Sequence, residues 1–144
     1  MRRCLLIAAA LSLWACSADD EACAGTQVRV TSASTGRVLV DVCAEQADTE
    51  AERLQGLAGK SGLDSSHGML LTFPVEGEVC IQNGSVSFPI DVVYAASDGN
   101  VVAVERDVAG GDATPRCHPG TRRVLEVARS VADPVSVGDQ LRAR

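Results

Sequence analysis

The strongest constraint on the fold is a hairpin written into the middle of the chain. The runs Ile90-Asp91-Val92-Val93-Tyr94 and Val101-Val102-Ala103-Val104-Glu105 flank Ser97-Asp98-Gly99-Asn100. β-Branched residues favour pleated backbone, and Asp-Gly supplies the positive dihedral angles of a tight hairpin turn. The two runs are therefore expected to pair antiparallel. Similar short runs recur at 27–31 and 38–42, on either side of Ser34-Thr35-Gly36, and again at 79–81, 124–127 and near 140–142. Residues 69–73 form another candidate strand, stopped by Pro74, and 110–120 reads as a polar loop rich in Gly and Pro. A single helix start stands at Thr49, with Glu52 at capping-box spacing. Leu54 and Leu57 would face the core, and Gly56 or Gly59 would end the helix. Many short strands with one short helix predict an α+β, β-rich fold, a small curled or barrel-like, mostly antiparallel sheet. A chain of 144 residues suits one such domain.

The first residues are set apart from that domain. Arg2 and Arg3 precede an apolar run from Leu5 to Trp14, followed by Ala15-Cys16 and then by polar residues. This pattern predicts a secretory signal peptide over 1–15, too short to span a bilayer. Leu13-Trp14-Ala15-Cys16 resembles a bacterial lipobox, which makes Cys16 the expected lipid acceptor and 16–26 a short tether. The β-rich domain then occupies 27–144. The expected location is outside the cytoplasm, periplasmic or facing the outer membrane, with the membrane as a partner through the N-terminal lipid.

Charge narrows the choice of partners. Of 13 basic residues two lie in the leader, and none of the 19 acidic ones does, so the chain beyond it carries a formal charge of −8. No Lys/Arg cluster is visible along the sequence. Beyond the leader the aromatics are Phe73, Phe88 and Tyr94 alone, too few for base-stacking platforms. A net acidic chain without a Lys/Arg cluster is a poor candidate for nucleic acid or for anionic lipid, so neither is an expected partner of the folded domain.

Four cysteines remain beyond Cys16: Cys23, Cys43, Cys80 and Cys117. In an exported chain an even count reads as two disulfides, with three connectivities open. The sharper alternative is a soft metal site on Cys80, Cys117 and His118, with or without His67, but no CxxC or HxxxH spacing supports it. A Cys117-His118 nucleophile pair lacks an orienting third group. No phosphate loop, nucleophile elbow or zinc-protease motif is present, so no metal, cofactor or catalytic set is expected.

Several blocks resemble a known family. Residues 47–60, Ala-Asp-Thr-Glu-Ala-Glu-Arg-Leu-Gln-Gly-Leu-Ala-Gly-Lys, are similar to the pattern A-D-T-x-x-E-R-x-x-G-L-M-G-R. Gly68-Met69-Leu70-Leu71-Thr72-Phe73-Pro74 resembles G-M-L-F-x-F-P, and Phe88-Pro89-Ile90-Asp91-Val92-Val93-Tyr94 resembles F-P-I-D-V-V-F. Asp98-Gly99-Asn100-Val101-Val102, Val124-Leu125-Glu126-Val127 and Val137-Gly138-Asp139 complete the series. In this order, over about 26–142, the blocks resemble the domain of unknown function 192 family. The resemblance implies a compact β-rich domain, often exported in bacteria, and no established reaction. The W-M-K-N segment of the family reads Cys80-Ile81-Gln82-Asn83 here, and Ala58 stands where a Met is usual.

Candidate site residues follow from polarity in apolar surroundings. Asp91 is a carboxylate inside a strand of apolar residues, a general acid or ligand contact on one reading and an acceptor of backbone N–H groups at the Pro89 turn on the other. Asn83 is either a ligand contact or the first residue of an Asn83-Gly84 turn. His67 and His118 read as solvated loop residues, and Asp48 as helix-capping chemistry. The expected function is a non-enzymatic binding or interaction module of the cell envelope, with an envelope protein or small ligand as partner. The rivals are a small enzyme using Asp91 with the Cys117-His118 loop and a purely structural envelope protein.

Overall fold

The computed structural model describes residues 22–144, so the expected leader, Cys16 and the first part of the tether lie outside it. Seven strands form one sheet: β1 (Thr26–Thr31), β2 (Val38–Ala47), β3 (His67–Ile81), β4 (Ile90–Ala95), β5 (Val101–Val108), β6 (Arg116–Ala128) and β7 (Gln140–Ala143). A single helix, α1 (Glu50–Gln55), lies between β2 and β3. The order across the sheet is β5-β4-β6-β3-β2-β1-β7. β2 and β3 are parallel, the arrangement that needs a crossover, which α1 supplies. All other named pairs are antiparallel, including the expected β4–β5 hairpin.

The sheet curls into a half-barrel whose edge strands touch. Asn100 bridges to Gln140, and the Val101 and Leu141 amides donate to Asp139 and Gly99 carbonyls at 2.8 Å each. Gly99 makes this approach feasible. Its φ is +91°, and a Cβ there would stand 2.5 Å from the Leu141 carbonyl oxygen.

Strand alternation sorts apolar residues into two cores. Val28, Val30, Val42, Val93, Leu125, Val127 and Leu141 fill the concave inner face. Met69, Leu71, Ile90, Val92, Tyr94 and Val124 form the outer core, with Leu57 from the segment after α1 packed on it. β4 lies between the two, so all six of its residues are buried, and its near-continuous apolar sequence follows from that position.

Three local expectations need correction. The capping box at Thr49 and Glu52 is formed and Gly56 ends α1 as expected, but it turns the chain at φ +49°. That reversal brings Leu57 inward and leaves Leu54 outward, 81% exposed. Pro74 does not stop β3, because the ladder to β6 shifts register between Thr72 and Gly77 and asks no amide of the proline there. The loop expected up to residue 120 ends at Arg116, where β6 begins opposite Ile81.

Candidate functional site

The cysteines pair as Cys23–Cys43 and Cys80–Cys117. The first roots the N-terminal segment on β2. The second joins directly opposed residues of β3 and β6. Among the described residues, Glu78, Cys80 and Cys117 bring metal-capable atoms within 4.8 Å of one another, but the two sulfurs are bonded to each other. A metal could use only the Glu78 carboxylate in this state. His67 is exposed at the start of β3, away from this trio of ligands, and forms no part of it.

Asp91 is fully buried on β4, facing the inner side. Its Oδ1 accepts the Asp107 amide at 2.9 Å and its Oδ2 accepts the Ala132 amide at 3.0 Å. The partners come from the β5 bulge and the turn after β6 rather than from the Pro89 turn. Asp107 has φ 51°, and the β4–β5 register slips at this point. The carboxylate thereby clamps an irregular strand and a turn to the sheet centre, with both oxygens in charge-assisted bonds.

Asn83 is also fully buried and ties together two loops. Its amide nitrogen donates to the Phe88, Val108 and Ala109 carbonyls at 2.9, 3.1 and 3.1 Å. Its backbone amide reaches Asp112 O at 2.8 Å, and its carbonyl accepts from Gly111 at 3.0 Å. Oδ1 has no donor among the described residues.

His118 lies in β6 rather than in a free loop. Its Nε2 is 2.8 Å from Glu105 Oε1, and its ring meets Tyr94 edge-on at 4.5 Å. Glu105 also faces Arg116 at 3.5 Å, and Arg116 holds Asp112 at 2.9 Å. The Thr114 amide and hydroxyl, with Arg116, hold the Asp112 carboxyl down at about 2. Tyr94 donates to Arg116 O at 3.0 Å, and burial raises its phenol well above the ordinary range, with Glu105 and Glu126 adding to the effect. The result is a half-buried polar cluster whose opposite charges are paired internally. Cys117, His118 and Asp91 do not converge, since Cys117 is oxidised and Asp91 faces the other side of the sheet.

Sequence reasoning missed Glu126. It sits on β6 between Met69 of β3 and Val92 of β4, on the outer face, 5% exposed in total. Its Oε2 has no partner among the described residues, and a Cβ on Gly56 would stand 3.7 Å from it. Burial alone pushes its pKa up to about 7. Val-Leu-Glu-Val reads as an alternating strand with Glu in solvent, and only the covering segment after α1 reverses that reading. Asp139 was likewise unmarked: nearly buried, it accepts the Ala33 amide at 2.9 Å and the Ser136 amide at 2.7 Å.

A recess of about 870 Å³ opens between residues 22–27 and the 41–46 stretch of β2, with His67 at its edge. No helix among the described residues is long and apolar enough to cross a membrane.

No curated protein matches the chain. Two crystal structures share the fold. One, from Sinorhizobium meliloti 1021, is described as a candidate transcription regulator; it is 27% identical, with a TM-score of 0.77, over 83% of this chain and 94% of that one. The other, from Novosphingobium aromaticivorans DSM 12444, is a protein of unknown function, 25% identical with a TM-score of 0.74 over 81% of this chain and 83% of that one. The sequence profile of the domain of unknown function 192 family, described as Uncharacterized ACR, matches residues 30–143, and the chain belongs to that family.

Proposed function

We propose that this chain is a binding or interaction module of the bacterial cell envelope, held to the membrane by a lipid on Cys16. Two intramolecular disulfides fit an oxidising, extracytoplasmic compartment. The observation that carries the module reading over the enzyme is the state of Asp91, whose two oxygens are both occupied by main-chain amides. A general acid or base needs a free oxygen within reach of a substrate proton. The other groups of the enzymatic alternative are committed as well, Cys117 to Cys80 and His118 to Glu105. Transcription regulation, the description borne by the Sinorhizobium protein, is not adopted, because the two disulfides fit an extracytoplasmic compartment rather than one that holds DNA.

Intact-mass spectrometry of protein extracted from native membranes tests the reading, with thiol alkylation before and after reduction. The expected mass starts at Cys16 and carries acyl groups, with four cysteines protected until reduction. An unacylated mass starting elsewhere, or free thiols before reduction, would overturn it.

A further inference from the structure

The two ends of the described chain lie side by side and assemble arginines that are far apart in sequence. β1–β7 pairing sets Arg29 opposite Arg142, and mutual amide–carbonyl bonds set Gln27 opposite Arg144. On the other flank of β1, Arg29 faces Asp41 and Gln27 faces Cys43. Val28, Val30, Val42 and Leu141 point into the inner core, so the alternate residues project from the outer face. There a groove of about 230 Å³ is lined by Gln27, Arg29, Thr31, Val38, Arg142 and Arg144.

Its electrostatics are unbalanced. Asp41 pairs with Arg29 at 2.9 Å, while among the described residues the Arg142 side chain meets only Gln140 Oε1, at 3.5 Å. Like charges set directly opposite on neighbouring strands repel, and an anion between them relieves the repulsion. Guanidinium groups also match phosphate oxygens in geometry.

The position of the tether says which anion this face meets. The Cys23–Cys43 disulfide roots the N-terminal segment in the row that contains Gln27 and Arg144. Cys16 precedes Cys23 by seven residues, a reach of at most roughly 25 Å. We infer that the outer face of β2, β1 and β7 docks on anionic phospholipid headgroups, with Arg29, Arg142 and Arg144 taking the phosphates. This rests on the lipid tether proposed above, which keeps the headgroups at high effective concentration, so a weak contact suffices to orient the domain.

The test uses the chain from residue 16 onward carrying Cys16→Ser, which removes both the apolar leader and the lipid acceptor and makes the result independent of the mass measurement. Sedimentation is measured with vesicles of phosphatidylcholine alone or mixed with phosphatidylglycerol, at low and high salt. At low salt the anionic vesicles should carry down about fivefold more protein than the neutral ones, and high salt should abolish the difference. Arg142→Glu with Arg144→Glu should cut anionic-vesicle binding about tenfold, whereas Arg129→Glu, on the turn after β6, should leave it unchanged. Equal binding to both vesicle types, or indifference to the double variant, overturns the inference. Titration with inorganic phosphate that shows binding when vesicles show none assigns the groove to a free anion and also overturns it. Vesicle binding that emerges only after Asp19→Asn, Asp20→Asn and Glu21→Gln assigns the groove to the tether, with the same consequence.

Discussion

Asp91 and Glu126 are buried carboxylates on adjacent strands, one register step apart, yet they occupy opposite faces of the sheet and opposite chemical situations. Asp91 meets two main-chain amides, from the β5 bulge and from the turn after β6. Glu126 lies in the outer core with one oxygen unpartnered and its pKa raised to about 7. Burial is common to both, so burial does not decide the role. What decides it is whether irregular backbone nearby has amides to spare. Around Asp91 a strand bulge and a turn supply them. Around Glu126 the ladder amides of β3 and β4 are already spent, and the Gly56 turn that covers it gives its amide to the Glu52 carbonyl at 2.8 Å.

The largest effect should come from breaking the satisfied side. Asp91→Ala leaves two inward amides without acceptors and should cost about 4–5 kcal/mol in urea unfolding. A loss below about 1 kcal/mol would mean that the clamp contributes little. Asp139 sharpens the comparison because it repeats the chemistry at the sheet's closure, joining Ala33 and Ser136. Asp139→Ala should cost about 3 kcal/mol, less than Asp91→Ala because its turns lie nearer solvent.

The unsatisfied side should respond with the opposite sign. In the unfolded chain Glu126 ionises near 4.5, whereas in the fold it keeps its proton to about 7. Between these values the folded state binds the extra proton, so its stability falls as pH rises, and the penalty is complete somewhat above pH 7. Glu126→Gln removes the penalty. At pH 8 the variant should be about 2–3 kcal/mol more stable than the parent, with the gain vanishing near pH 4. The smallest effect belongs to Thr49, whose hydroxyl accepts the Glu52 amide at 3.2 Å in an exposed cap. Thr49→Ala should cost about 1 kcal/mol, because water replaces an exposed partner far better than a buried one.

Local chemistry was legible in the sequence wherever neighbours along the chain settle the outcome. The Asp98-Gly99 hairpin, the Thr49 capping box and the alternating β1 all depend on residues within a few positions. Non-local geometry was not legible. The partners of Asp91 stand 16 and 41 residues away, and nothing in Phe-Pro-Ile-Asp indicates them. The same holds for β3, whose passage through Pro74 depends on a register shift against β6. The reading that excluded an arginine cluster was sound along the sequence and fails in space, because β1–β7 pairing places Arg29 beside Arg142. Cysteine count gave two disulfides but left three connectivities, and the fold selects Cys23–Cys43 with Cys80–Cys117.

The functional reading depends most on Asp91 being a clamp rather than a working acid. The direct measurement is urea unfolding of the parent, Asp91→Asn and Glu126→Gln side by side at pH 8. Asparagine keeps one acceptor and turns an N–H donor toward the second amide, so Asp91→Asn should lose about 2–4 kcal/mol while Glu126→Gln gains. Asp91→Asn matching the parent within about 0.5 kcal/mol would contradict the account and leave the Asp91 carboxylate free for chemistry.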